Sequence, residues 1–154
     1  VRFTQWALRP DSGGPGRHRG GLGAVYEIEL LEKQADVFLF GERGRFAPRG
    51  VVGGGDAATN RFTYQQHDGE QRPQMVSKMV GVQLARGQRL RLETPGGGGY
   101  GPAFLRPVDE VARDVRRGFV SAEQAAASYG VAYSADGAVD ADATRQLRSR
   151  EPAT

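Results

Sequence analysis

Glycine constrains this chain more than any other residue does. It fills 23 of the 154 positions, about twice its usual share, and most of it is gathered into three stretches. Arg9 to Gly23 reads RPDSGGPGRHRGGLG. Ala47 to Asn60 contains Gly50 and the run Gly53-Gly-Gly55, and Thr94-Pro95 leads into four consecutive glycines, Gly96 to Gly99, then Tyr100-Gly101-Pro102. Glycine loses more backbone entropy than any other residue on ordering, and proline removes an amide donor. None of these stretches therefore fits the interior of a helix or a sheet ladder. They are long loops, and the two that abut strands, Gly13 to Gly23 and Gly96 to Gly101, imply that backbone there passes close to something. That something is a substrate, another subunit or the protein itself.

Between the loops the hydrophobic period is that of strands. Val1 to Leu8 alternates bulky and polar residues, with Arg2 and Thr4 facing water and Phe3 and Trp6 packed inward. Gly23 to Leu31 sets Val25, Glu27 and Glu29 against Tyr26, Ile28 and Leu30. Ala35 to Phe40, a polar Arg61 to Gln66, Met75 to Leu84 and Gln88 to Thr94 complete the series. Val80, Val82 and Leu84 share one face of the third of these; Leu90 and Leu92 point inward from the last, with Arg89, Arg91 and Glu93 outward. HDGEQRP, from His67, reads as a turn. Beyond residue 106 the period becomes 3.6: Val108, Val111, Ala112 and Val115 define a helix over Pro107 to Arg117 that stops at Gly118. Ser121 and Gln124 form an S-x-x-Q capping box for a second helix ending before Gly130. Val131 to Tyr133 reads as a short strand, Asp140 to Arg150 as a weakly apolar third helix with Leu147 inward, and Glu151 to Thr154 as a fraying end. Strands first and helices last predict an α+β fold, mainly antiparallel β with long glycine-rich loops, followed by two or three short C-terminal helices. The expected organisation is a β-rich region over 1–106, a helical segment of the same domain over 107–134 and a tail over 135–154.

Composition narrows the function classes. With no cysteine there is no disulfide framework, zinc ribbon or cysteine nucleophile, and a cytoplasmic location is the default. No apolar run is long enough to cross a bilayer, so no membrane partner is expected. The chain starts at Val1 rather than Met, which suggests a piece of something longer. The net charge is only +3, from 21 basic against 18 acidic residues; the arginine clusters have Glu42, Glu93 and Asp114 beside them. No aromatic stripe interleaves them, so no nucleic-acid partner is expected.

The motifs that look chemical fail on context. Asp11-Ser-Gly-Gly-Pro15 imitates the nucleophile loop of a chymotrypsin-like protease, but only eleven residues precede Ser12, and both histidines, His18 and His67, follow it. Gly53, Gly55 and Ala58, and again Gly96, Gly98 and Gly101, satisfy dinucleotide-type spacings. Neither set opens a helix, and there is no P-loop. The two histidines are far apart and lack carboxylates at metal-ligand spacing, so no metal residue is assigned.

Several of these strings, in one order, carry a resemblance. Arg9 to Gly23, Gly53 to Gly55, Ser77-Lys78 and above all Thr94-Pro-Gly-Gly-Gly-Gly-Tyr-Gly101, followed by Asp114-Val-Arg-Arg-Gly118 and Ala126 to Val131, resemble the C-terminal region of the hydantoinase B/oxoprolinase family. That family contains the B subunits of ATP-dependent N-methylhydantoinases, the corresponding half of 5-oxoprolinase, and subunits of acetone and acetophenone carboxylases. The resemblance implies ATP-coupled hydrolysis of a cyclic amide C–N bond, of the 5-oxoproline or N-methylhydantoin type, with ketone carboxylation as its sibling. It implies that ATP and Mg are used by a partner hydantoinase A-type subunit or region. A divalent metal and much of the substrate chemistry would belong to the N-terminal part of the B subunit, outside this chain. The chain alone is then expected to bind no cofactor and to be inactive, with the A-type subunit and the rest of the B subunit as partners. The family continues its tetraglycine as GYGDP, where this chain has Gly99-Tyr-Gly-Pro-Ala103 and lacks the carboxylate. No catalytic residue is assigned. The expected substrate or interface contacts are Ser12, Arg17, Arg19, Gly96, Gly97, Gly98, Gly99 and Tyr100, with the two guanidinium forks holding a carboxylate or phosphate. The rival reading is a non-catalytic protein-interaction module.

Overall fold

A computed structural model describes residues 1–149. The elements run β1 (Arg2–Leu8), β2 (Ala24–Glu29), β3 (Gln34–Phe40), β4 (Arg61–Gln66), β5 (Gly69–Gln71), β6 (Lys78–Ala85), β7 (Arg89–Glu93), a 3-10 turn (Ala103–Leu105), then α1 (Val108–Arg116), α2 (Ala122–Tyr129) and α3 (Ala141–Ser149). The α+β class and the strands-then-helices order are as the periodicity predicts. The chain forms two compact units: Val1–Arg9, Gly23–Ala47 and Thr59–Pro95 make the first, and Pro10–Leu22, Pro48–Ala58 and the chain from Gly96 onward make the second.

The first unit holds every strand. Five form an antiparallel sheet in the order β1-β2-β7-β4-β5, and β3 pairs with β6 in a second sheet. Leu90 and Leu92 of β7 and Phe62 of β4 point from the large sheet into a core closed by Leu39 and Leu84 of the small one, with Leu30 between them. Burying such side chains contributes about 1.5–3 kcal/mol each, which is what aligns the two sheets. The HDGEQRP turn contains the three-residue β5, which pairs with the end of β4.

Three predicted faces differ. Phe3 and Trp6 are not inward: they are 52% and 70% exposed. β1 is the edge strand, and the core formed with the small sheet takes no side chain from it. Val80 does not share the face of Val82 and Leu84. The β3–β6 ladder shifts register between Val37 and Leu39, Gly81 sits opposite the shift at φ 71°, and Val80 is turned out to solvent. This is the effect of a bulge on a period-2 pattern. Glu93, expected in solvent, is buried, because Arg61, Arg91 and Arg9 close over it at 2.7, 3.1 and 3.5 Å. Burial pushes its carboxyl up, but hydrogen bonds from Arg61 and Arg91 and the charges of Arg61 and Arg9 outweigh that and hold it below the usual carboxylate range.

The second unit holds the helices. Val111, Val120, Ala125, Tyr129 and Val131 make its core. α1 is followed by Gly118 at φ 69°, and α2 ends on Gly130 in the left-handed conformation, as predicted. The capping box is only half formed. The Ser121 side chain accepts from the Gln124 amide at 3.1 Å, but the Gln124 side chain donates to Ser128 instead of returning to the Ser121 amide, which the Asp11 carboxylate takes at 2.8 Å. Val131 to Tyr133 is no strand; one bridge joins Tyr133 to Val139. α3 buries Thr144 while Leu147 is half-buried. The fraying expected of Glu151 to Thr154 lies outside the described residues.

Candidate functional site

All the residues predicted as contacts fall in the second unit, where three glycine-rich segments, 12–22, 49–58 and 96–101, lie against one another. Backbone hydrogen bonds knit them. The Gly14 amide donates to the Gly97 carbonyl (2.9 Å), Gly97 to Gly21 (2.9 Å), Gly55 to Pro15 (2.7 Å), Gly99 to Gly55 (3.0 Å), Val51 to Gly99 (2.9 Å) and Gly101 to Val51 (3.0 Å). His18 and Tyr100 exchange both of their bonds at 3.0 Å, and their rings lie 6.1 Å apart. Packing demands glycine here, not backbone conformation: Gly14, Gly20 and Gly99 all stay out of the left-handed region. A Cβ added at Gly14 would fall on the Gly55 carbonyl, one at Gly20 on the Gly97 carbonyl, and one at Gly99 on the Pro15 carbonyl. What the glycine backbone approaches is therefore other backbone of the same cradle.

A buried ion cluster ties this cradle to the helical segment of the same unit. Arg19 Nε donates to Asp114 Oδ2 of α1 at 2.9 Å, and Arg106 donates to the same oxygen at 3.0 Å. Arg106 also reaches the Arg17 carbonyl at 3.1 Å and Glu110 at 3.2 Å. Arg19 further bonds the Gly20 carbonyl and lies over the Phe119 ring, 5.5 Å from its centroid. Nearby, Tyr129 is 1% exposed, and burial pushes its hydroxyl up to about 12. A neutral phenol there serves packing, not proton transfer at neutral pH.

The predicted residues thus divide by surroundings. Ser12 is fully buried, and its carbonyl accepts from Ala58 at 2.9 Å. Arg19 is held by Asp114, and within the tetraglycine the Gly97 and Gly99 backbones are bonded to the rest of the cradle. Arg17 and Tyr100 are exposed beside each other, with the Arg17 amide bonded to Gly101 at 3.1 Å. Sequence reading missed Arg106 and the role of Asp114. The available signal was Asp114 itself, three residues from Val111 and one from Val115, an acid placed on an otherwise apolar helical face.

The amides of Gly14, Gly55, Gly97, Gly99 and Gly101 donate to protein carbonyls and so are not offered to a phosphate, and the tetraglycine runs into a three-residue 3-10 turn with no side-chain cap at Pro102. Among the described residues no three His, Cys, Asp or Glu side chains gather as a metal site, and no helix is long and apolar enough to cross a membrane.

An antiparallel two-sheet unit and a helical unit packed on glycine backbone define an α+β class of protein region. Comparison with known proteins identifies which. The chain belongs to the hydantoinase B/oxoprolinase family, whose model matches residues 1–103. It is 34% identical over 153 residues to the beta subunit of the caprolactamase of Pseudomonas jessenii, covering 97% of this chain and 26% of that protein. To the B-type subunit of a putative D-/L-hydantoinase of Pseudomonas sp. (strain NS671) it is 28% identical, covering 96% and 25%. The crystal structure of the ATP-dependent caprolactamase from P. jessenii superposes with a TM-score of 0.78 at 32% identity, over 95% of this chain and 26% of that one. A nucleotide-free acetone carboxylase superposes at 0.83 with 22% identity, over 96% and 24%, a likeness of fold. The chain therefore spans about a quarter of the length of the relatives it matches.

Proposed function

We propose that this chain is the C-terminal region of a B-type subunit in an ATP-dependent cyclic amide hydrolase, acting on a substrate of the 5-oxoproline, N-methylhydantoin or lactam kind. The observation that carries the reading is the 34% identity to a caprolactamase subunit across 97% of the chain. The carboxylase sibling is supported by fold at 22% identity, against 32% for the solved caprolactamase, so hydrolysis takes precedence. In this reading a hydantoinase A-type subunit or region uses ATP with Mg in the cytoplasm, and the rest of the B subunit supplies the reacting groups. The part played here is scaffolding. Arg17 and Tyr100, at the exposed rim of the cradle, make the substrate or interface contact, while Ser12, Arg19 and Gly96 to Gly99 hold that rim in place.

The test is an assay of the native complex isolated from its source. Incubated with ATP and 5-oxoproline, hydantoin or caprolactam, it should release ADP with the ring-opened product, followed by mass spectrometry, whereas the 154-residue chain alone should not. Ketone carboxylation with bicarbonate by the same complex, without ring opening, would reverse the assignment. Turnover by the 154 residues alone would remove the scaffolding role.

A further inference from the structure

The largest feature not absorbed above is β1. All seven of its residues are exposed, including Phe3, Trp6 and Leu8. Phe3 and Trp6 meet edge to face at 5.1 Å, and Trp6 stacks on Tyr26 of β2 at 5.3 Å with 23° between the planes. Tyr26 in turn packs against the unit's core. The aromatic face is thus a continuation of that core past the edge of the small sheet that covers the rest. The backbone is open as well. β1 pairs only with β2, so its other edge has no partner strand among the described residues. Its single charged residue, Arg2, is bonded to Glu29 at 2.8 Å, and it has neither lysine nor proline. Proteins guard an edge of this length with charge, proline or a cover, because a bare apolar edge recruits other chains. β1 carries only the irregularity between Phe3 and Gln5.

We infer that the Phe3–Trp6–Tyr26 face and the open edge of β1 are the seat of a further stretch of polypeptide from the same B-type subunit, which lays apolar side chains on the aromatics. This rests on the reading of the chain as a subunit region. A segment of that same polypeptide is the chosen occupant because β1 lies inside the family match, residues 1–103, and the relatives that share it are about four times as long as this chain. The caprolactamase beta subunit, aligned over 97% of this chain and about four times as long, has both the matching segment and the chain length to cover it. An extended segment running along the edge would satisfy the unpaired backbone and bury the rings together.

Trp6 is the only tryptophan of the 154 residues, which makes the seat easy to watch. Hydroxyl-radical footprinting read by mass spectrometry compares Trp6, Phe3 and Tyr26 in the isolated chain, in the native complex, and in the B-type subunit after its partner subunits are removed. The expected result is fast oxidation in the isolated chain and protection of about tenfold or more in the other two, as for a side chain moved from solvent to a core. Protection lost when the partner subunits are removed would give the surface to them and overturn the proposal. Concentration-dependent protection in the isolated chain would give it to a second copy and do the same. A longer subunit whose Trp6 is oxidised at the isolated chain's rate would sink this assignment and leave the subunit reading standing; a native gene product with no longer polypeptide would sink both. Trp6→Glu supplies an independent check: the isolated chain should melt within about 2 °C of wild type, since the site is exposed, and the whole subunit should lose more than about 5 °C. Equal, small shifts in both would overturn the inference.

Discussion

Gly20→Ala tests whether the glycine cradle is a packing device. At Gly20 the added Cβ would fall on the Gly97 carbonyl, 2.5 Å from its carbon and 2.8 Å from the Gly98 oxygen, and none of these atoms belongs to a flexible side chain. Relieving the carbon contact to about 3.5 Å moves the two segments apart by about 1 Å, which takes hydrogen bonds of normal length out of bonding range. The bonds at stake are Gly14 to Gly97 and Gly97 to Gly21, both 2.9 Å. At about 1–3 kcal/mol for each backbone group left without a partner, and with Gly97 itself exposed so that water recovers part of the loss, the substitution should cost about 2–4 kcal/mol. The control is the next residue. A Cβ on Gly21 meets nothing within 4 Å and its backbone is outside the left-handed region, so Gly21→Ala should be neutral or stabilising by about 0.4–1 kcal/mol through the unfolded chain. Urea unfolding followed by far-ultraviolet circular dichroism, with amide exchange at Gly97 and Gly99, measures both. Two variants within about 0.5 kcal/mol of each other would refute the packing argument, because the buried Gly20 meets backbone where the exposed Gly21 meets nothing.

Asp114→Asn should cost about 3 kcal/mol and loosen α1 from the cradle, because it leaves the buried Arg106 without its closest anion; urea unfolding checks it, and a loss under about 1 kcal/mol would mean Glu110 suffices. Asp11→Ala should cost about 1–2 kcal/mol, since it removes the acceptor of the Ser121 amide and leaves a non-glycine residue at φ 57°, while Asp11→Asn should keep most of it. Glu93 gives a pH signature: its folded carboxyl lies below its unfolded value, so its contribution is complete above the unfolded pKa near 4.5 and is lost as pH falls through the depressed one. Wild-type stability should therefore drop below about pH 4.5, and Glu93→Gln should cost about 2 kcal/mol at neutral pH while flattening that drop, as measured by thermal melts from pH 7 to 3. Parallel pH curves for the two proteins would contradict the arginine cage.

The strand ladder and the helix ends were legible because each rests on local chemistry. Arg61–Gln66 is a strand with the bounds its own residues set, and Gly130 takes the left-handed cap that a helix end asks of glycine. The errors share one cause, which is that a period says which residues are alike and not what lies opposite them. β1 alternates like its neighbours, but the core takes nothing from an edge strand, so Phe3 and Trp6 face water. Gly81 admits one extra residue and reverses Val80. Glu93 sits on the polar side of β7 as expected, and is buried all the same, because arginines from three different segments converge there. Asp11 replacing the returning half of the capping box is a contact between residues 110 apart, beyond any window of local spacing.

The glycine runs show the same limit at the candidate site. Dinucleotide spacing, a protease-like DSGGP and a tetraglycine all state that backbone must come near something, and each invites a ligand. In the structure the carbonyls of Gly55, Gly97 and Pro15 fill the places where side chains would otherwise stand, so the runs select for one another. Each of the three segments thus supplies backbone that another packs against. In the function proposed above, contact with substrate or a neighbouring chain is made at the rim. There Arg17 and Tyr100 are exposed while their backbones are fixed by Gly101 and His18. A rim residue mounted on backbone that rigid can be changed without disturbing the fold, so Arg17→Ala should leave the melting of the isolated chain within about 2 °C and lower turnover only in the assembled enzyme. Unchanged turnover would move the contact elsewhere and leave the cradle a scaffold alone.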